Sequence, residues 1–289
     1  MTSLPNPISE TAHAVAPDAH RNGILVASDG REPSIAALIA ARKLAAHVTF
    51  GVLSVVPSSV SRERARRSAE ETIDRDERAA VIEAQLQMLF GESPDVWVQT
   101  CSGDPAAEIT SYADRHGTRL LITGIGRARV IERLLGDEST LSLVRLSKTP
   151  ILAVAPGCEV PPQRVVVAMD FTPTSVRAAH LGLALASPQA EVIVAHVWPQ
   201  GSPASPEGAA RRMVDALQTG FCGRVTSHVM HGDPAAELLA LANSWRADAI
   251  AIGLHGHARA EHVGIGTVAM RVVHCASCSV IVTPRDKAN

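Results

Sequence analysis

The sequence predicts two tandem α/β domains, each with a parallel sheet covered by helices. The string Gly-Asp-Pro-Ala-Ala-Glu occurs twice, at 103–108 and at 232–237. Around each copy, short strands rich in Val and Ile alternate with Ala-rich helical stretches, and this alternation favours a parallel sheet. The surrounding elements follow in the same order in both halves, so the chain duplicates a whole domain rather than a short solenoid repeat.

Each half contains five strand patterns and four helical patterns. The predicted strands begin near Ile24, Val48, Val96, Leu120 and Ile151 in the first half, and near Val165, Val192, Val225, Ala249 and Val280 in the second. Helices are predicted at 34–46, 175–186 and 234–244, among others. In each repeated string an aspartate precedes a proline, which suits an N-cap followed by the first helical residue.

Breaks in the pattern predict a disordered polar tail at 1–20, a first domain at 21–158 and a second at 159–289. Prolines and glycine between 156 and 162 mark the linker. The first half has an insertion after Pro57, and its segment 61–78 carries six basic and six acidic residues. This segment predicts a solvated helix with an apolar face of Ile73, Val81, Ala84 and Met88, or else a helix that docks a partner.

Composition excludes several functional classes. A net charge of −2 and an aromatic content of 3% argue against a nucleic-acid partner. The start of the chain lacks the features of a signal peptide, and no long apolar run follows, so we expect a cytoplasmic protein without a membrane partner.

The five cysteines show no paired framework, and we expect them to be reduced. Cys275 and Cys278 form a lone CxxC that lacks two further zinc ligands. We expect Cys275 to end a helix and Cys278 to start the last strand, each buried as a small apolar side chain. No metal site is predicted.

The strongest indication of a binding site is the spacing of Gly253, Gly256 and Gly266-Thr267 in the second half, which suits an anion such as phosphate. Gly253 ends a strand and Thr267 opens a helix. Glycines there let backbone N–H groups approach an anion, and the helix N-terminus adds partial positive charge. Asp170, at the tip of the first strand of this half, faces the same crevice, where a carboxylate accepts a hydrogen bond from a ribose or a base.

These motifs resemble the universal stress protein family in its tandem form. The resemblance rests on G-x2-G-x9-G-[ST], the strand that ends in Asp, the Gly-Asp-Pro helix start and the closing Val-Ile-Val strand, and it covers about 23–284. It implies two Rossmann-like (HUP-type) domains with strand order 3-2-1-4-5, ATP with Mg²⁺ as the ligand, and a homodimer formed through the closing strands. Carried over by residue, the expected nucleotide contacts are Asp170 to adenosine, Val197 to adenine through its main chain, and Gly253, Gly256, Gly266 and Thr267 to the phosphates.

The first half departs from this pattern. Its corresponding residues are Asp29, Gly124, Gly126 and Gly136, but one residue separates Gly124 from Gly126 where two are expected. Asp137 and Glu138 then follow Gly136, and carboxylates in a partly desolvated cleft repel phosphates. We therefore expect this site to be weak or empty, unless Mg²⁺ or the arginines at 127 and 129 neutralise it.

No catalytic set accompanies the pocket, because P-loop, G-x-S-x-G and HExxH patterns are missing. His255, His257 and His262 in the second glycine-rich loop suit hydrogen bonds to phosphate better than a metal site, and His196 suits a structural role. The hypothesis is a nucleotide-sensing stress protein with an unidentified regulatory protein partner and at most slow hydrolysis. The alternatives are a slow ATPase or phosphotransferase that uses His255 or His257, and an interaction protein with vestigial clefts.

Overall fold

The computed structural model describes residues 23–45, 49–57, 64–91, 96–126, 138–198, 207–254 and 267–284, with the backbone alone at 64–73, 138–139 and 267. Within these ranges each half has five strands and four helices, as predicted. The first half contains β1 (Ile24–Ala27), α1 (Glu32–Leu44), β2 (Phe50–Pro57), α2 (Arg64–Phe90), β3 (Val96–Gly103), α3 (Pro105–Arg115), β4 (Leu120–Gly124), α4 (Glu138–Leu146) and β5 (Ile151–Val154). The second half contains β6 (Arg164–Ala168), α5 (Pro173–Leu185), β7 (Glu191–Trp198), α6 (Glu207–Gln218), β8 (Arg224–His231), α7 (Pro234–Trp245), β9 (Ala249–Gly253), α8 (Thr267–Cys275) and β10 (Ser279–Thr283).

All ten strands form one sheet in the order β3-β2-β1-β4-β5-β10-β9-β6-β7-β8. Each half therefore has the predicted order 3-2-1-4-5, and the strands within each half are parallel. The predicted fold class is confirmed.

The two halves join at their closing strands. β5 and β10 pair antiparallel, with Ala153 opposite Val280, and the Ser279 Oγ accepts a hydrogen bond of 3.2 Å from the Ala155 N–H. This corrects the expectation that the closing strands pair two copies of the chain, because β5 lies between β4 and β10, and β10 lies between β5 and β9. Neither strand has an edge left for a second copy, and among the described strands the outermost are β3 and β8.

Helix α2 packs on the sheet through a different face from the predicted one. Ile82 and Leu86, one turn apart, are buried, whereas Val81 is 43% and Met88 is 73% exposed. Ala84 is exposed as well. The helix lies on β2 and β3, and Ile82 and Leu86 supply its buried apolar contacts there, whereas the side chain of Ile73 lies outside the described residues.

The aspartate, the glycine and the glutamate of the repeated string each have a local structural reason. The Asp104 carboxylate accepts a hydrogen bond of 2.8 Å from the Ala107 N–H, and Asp233 caps α7 in the same way through Ala236 at 2.9 Å. A Cβ added at Gly103 would lie 2.7 Å from the Glu108 Cγ, and one at Gly232 would lie 2.7 Å from Oε1 of Glu237. The predicted N-caps are thus present, and each glutamate folds over the glycine before the cap.

Candidate functional site

Both halves place polar residues at the carboxyl ends of neighbouring strands. The strand order reverses between β1 and β4 and again between β6 and β9, which are the places where ligands bind in open α/β sheets. Asp29 follows β1 and Asp170 follows β6, so the two predicted aspartates lie at equivalent positions.

Asp170 is held at the start of α5. Its Oδ1 accepts hydrogen bonds from the Thr172 N–H at 3.0 Å and from the Thr172 hydroxyl at 2.6 Å. The Thr172 Oγ1 in turn accepts from the Ser175 N–H at 3.3 Å and caps the helix. The side chain of Asp170 is half-buried. These contacts orient a carboxylate at the mouth of the second-half crevice.

Val197 extends beyond the β6–β7 ladder. The register of that ladder ends where Ala168 pairs with Ala195, two residues before Val197. Val197 is half-buried and pairs with Met230 of β8 on its other side. Its main chain therefore lies past the end of β6, beside the loop that contains Asp170.

His196 faces the opposite side of β7 from Val197. Its Nδ1 lies 2.6 Å from the Met169 carbonyl oxygen, to which it donates, and the imidazole is only 7% exposed. Nε2 is buried without a hydrogen-bond partner among the described residues. The rings of Phe171 and Trp198 have centroids 4.8 Å and 5.4 Å away. These contacts support the expected structural role.

The glycines that end β4 and β9 have packing roles that the sequence did not reveal. A Cβ at Gly124 would lie 1.9 Å from the Pro33 carbonyl oxygen, and a Cβ at Gly253 would lie 2.9 Å from the Thr174 Cγ2. The N-terminal turns of α1 and α5 therefore pass directly over these positions. At Gly126, by contrast, the nearest atom among the described residues would be the Pro33 Cγ at 3.5 Å, which is an ordinary contact distance.

The structure brings Asp170, Val197 and Gly253 to adjacent strands, and Thr267 begins α8. The other predicted residues lie outside the described ranges: Gly136 and Asp137 in the first half, and Gly256, Gly266, His255, His257 and His262 in the second.

A cleft of about 360 Å³ occupies the crevice of the first half. The predicted residues Asp29, Gly124 and Gly126 line it, together with Arg31 and Arg78, which no sequence motif indicated. The Asp29 Oδ1 accepts from the Ser34 hydroxyl at 2.8 Å and from the Arg31 N–H at 3.0 Å. The two arginines add positive charge beside this aspartate.

Helix α2 holds the β1–α1 loop of the first half from outside. The Arg78 Nη1 donates to the Asp29 carbonyl oxygen and the Gln85 Nε2 donates to the Gly30 carbonyl oxygen, both at 2.7 Å. Gly30 has a φ of +74°, and a Cβ there would lie 3.2 Å from the Val81 Cγ1. A single turn separates Arg78 from Val81, so one stretch of α2 both packs on this loop and reaches the cleft.

The second half replaces this arrangement with an aromatic contact. Phe171 is the counterpart of Gly30 and also has a positive φ, of 62°, which a non-glycine residue adopts at a cost of about 1 kcal/mol or more. Its ring packs on His196. The corresponding helix, α6, is 12 residues long, whereas α2 has 27.

The described residues bear on the predictions for metal sites and for Cys275 and Cys278. No group of three or more His, Cys, Asp or Glu residues suited to a metal ion occurs in the described ranges. Cys278 is buried, and burial is the main cause that raises the pKa of its thiol to about 12. Cys275 ends α8 as expected but is exposed, which corrects the expectation that both thiols are buried. No helix in the described ranges is long and apolar enough to cross a membrane.

Comparison with known proteins agrees with this architecture. A family model for the universal stress protein family matches residues 21–155 and 162–284. The comparison with curated proteins gives no match.

Solved structures share the fold over most of the chain. A universal stress protein of Archaeoglobus fulgidus DSM 4304 is 21% identical with a TM-score of 0.69, over 92% of this chain and 99% of that one. A functionally unknown protein of Pseudomonas aeruginosa PAO1 is 17% identical with a TM-score of 0.62, over 93% and 94%. A putative universal stress protein of Pseudomonas aeruginosa UCBPP-PA14 is 18% identical with a TM-score of 0.60, over 93% and 95%.

Proposed function

Because the chain belongs to the universal stress protein family, we propose that it is a cytoplasmic, nucleotide-sensing regulatory protein that binds ATP, mainly in its second half. One observation carries this proposal. The strand order brings Asp170, Val197 and Gly253 to one carboxyl edge beside the β6–β9 switch point, where nucleotides bind in folds of this class.

The chemistry of these groups suits an adenine nucleotide. In this proposal the Asp170 carboxylate would accept a hydrogen bond from a ribose hydroxyl, and the main chain of Val197 would meet the adenine edge. The N-terminus of α8 at Thr267, with Gly256 and Gly266 before it, would hold the phosphates through N–H groups. Because Mg²⁺ in such sites binds substrate phosphates and keeps several waters, it would need few protein ligands.

The first-half cleft is the second candidate site. Arg31 and Arg78 favour an anion there, and neither belongs to the motif that predicted the site. The Arg78 guanidinium, however, already donates to the Asp29 carbonyl, and the first glycine-rich segment ends in Asp137. We propose that this cleft is the weaker ATP site.

Sensing would follow from linkage between binding and stability. A ligand that binds only the folded state stabilises it by about 2.7 kcal/mol at one hundred times its Kd. Occupied and empty forms then present different surfaces to a regulatory protein partner at the carboxyl edge of the sheet.

The test is to denature the purified protein, identify released nucleotide by mass spectrometry, and titrate ATP by calorimetry. Three proteins are compared: the wild type, Gly266→Asp, and the matched first-half variant Gly136→Asp. We expect about one ATP per chain, lost in Gly266→Asp and kept in Gly136→Asp. Two ATP per chain would contradict the weak first-half site, and neither nucleotide nor heat would refute ATP binding.

A further inference from the structure

The seam between the halves brings two cysteines together. Among the described strands, β5 and β10 make the pairing that joins the halves. Continuing the strand register from the pair of Ala153 and Val280 places Cys278 opposite Ala155. The hydrogen bond from the Ala155 N–H to the Ser279 Oγ keeps these two segments of the chain adjacent. Residues opposite each other in an antiparallel pair have Cα atoms about 4.5–5.5 Å apart.

The chain then turns back, which returns Cys158 to the same place. The Cys158 N–H donates to the Ala155 carbonyl oxygen at 3.3 Å, and Gly157 has a φ of +77°, as in a type II turn. Such a turn keeps its first and fourth Cα atoms within about 7 Å. Cys278 belongs to the core cluster on this face of the sheet, and Cys158 packs against the same cluster. Both thiols therefore lie on one face, beside Ala155.

We propose that Cys158 and Cys278 form an oxidisable pair, which a two-electron thiol oxidant converts into a disulfide that fastens the linker to the start of β10. The inference is independent of the nucleotide site. Both thiols are reduced in the structure.

The two thiols have different reactivities, which sets the order of the steps. Cys158 is half-buried, whereas Cys278 is buried. Burial, and then the nearby Cys158, raise the pKa of the Cys278 thiol. With an azo oxidant such as diamide, the Cys158 thiolate adds to one nitrogen of the N=N bond. The Cys278 sulfur then attacks the Cys158 sulfur, the S–N bond breaks, and the S–S bond forms. The hydrazine product takes both thiol protons and both electrons, so the reaction balances.

The disulfide between Cys158 and Cys278 can be detected directly in tryptic peptides of the full-length protein. Cys158 lies in the peptide 149–164, and Cys275 and Cys278 lie in the peptide 272–285. Reduced protein is treated with diamide, alkylated, digested without reductant and analysed by tandem mass spectrometry. We expect a cross-linked pair of these peptides that disappears after reduction, and a melting temperature that rises on oxidation.

Three variants assign the bond. Cys275→Ser should keep the linked peptides, whereas Cys158→Ser and Cys278→Ala should abolish them and the rise in melting temperature. Three outcomes would overturn the proposal: a bond confined to 272–285, linkage that persists in Cys278→Ala, or thiols at 158 and 278 that stay reduced while the exposed Cys222 is oxidised.

Discussion

Substitution of Gly124 by Ala tests why a glycine stands at the end of β4. The added Cβ would lie 1.9 Å from the Pro33 carbonyl oxygen and 2.4 Å from its carbonyl carbon. The optimal separation of non-bonded heavy atoms is about 3.5 Å, so the overlap exceeds about 1 Å. The atoms it meets are backbone at the start of α1, and they cannot rotate away as a side chain would.

Relief of this overlap requires α1 to move as a unit. The helix buries Ala37, Leu38 and Ala41 against the sheet, and all three are at most 1% exposed. Overpacking of a core usually costs about 1–3 kcal/mol, and displacement of a whole helix puts this substitution at the upper end, at about 3 kcal/mol. The melting temperature should therefore fall by about 6–12 °C.

Thermal and urea unfolding, followed by circular dichroism without nucleotide, would measure the effect. Gly126→Ala is the matched control, because among the described residues its Cβ would meet only the Pro33 Cγ at 3.5 Å, and it should cost about 0.5 kcal/mol or less. Gly253→Ala should fall between the two, since its nearest neighbour is the Thr174 Cγ2 at 2.9 Å. Equal stabilities of Gly124→Ala and Gly126→Ala would refute the packing argument.

Two further predictions concern contacts outside the clefts. Gly51→Ala would place a Cβ 1.8 Å from the Trp97 ring. The indole should therefore move, its fluorescence should shift, and the free energy of unfolding should fall by about 1–3 kcal/mol. An unchanged emission spectrum would contradict this prediction. The Arg271 Nη1 lies 2.9 Å from the Asp233 Oδ2 and lowers the pKa of Asp233. The contribution of this ion pair to folding stability is therefore present above the usual carboxyl pKa of about 4, and it is lost as the pH falls through the lowered pKa. In Arg271→Gln, an NMR titration should find the pKa of Asp233 closer to the usual value, and an unchanged pKa would show that the ion pair does not form in solution.

Prediction from sequence succeeded where the cause is local. The Asp104 and Asp233 caps depend on residues three positions apart, and they occur where the Asp-Pro pairs indicated. It failed for α2, because apolar residues occur on two sides of that helix and only the sheet decides that Ile82 is buried while Met88 is exposed.

The candidate site divides in the same way. Asp29 and Asp170 follow their strands as predicted, since a strand ending in aspartate is visible in the sequence. The role of Arg78 beside Asp29 was not predictable, because 49 positions separate the two residues and no local pattern joins them. The packing role of Gly124 was hidden for a similar reason, since its neighbour is Pro33 on another element.

The sequence by itself determined the duplicated α/β order, the helix starts and the positions of the strand-end aspartates. These features arise from hydrogen bonds and side-chain periodicity within a few residues. Only the tertiary structure decided that β5 pairs with β10 in one ten-stranded sheet, that α2 fastens the β1–α1 loop, and that Cys158 packs against the core cluster that contains Cys278. Those outcomes depend on which surfaces meet after the chain has folded, and residues far apart in sequence carry no local sign of that meeting.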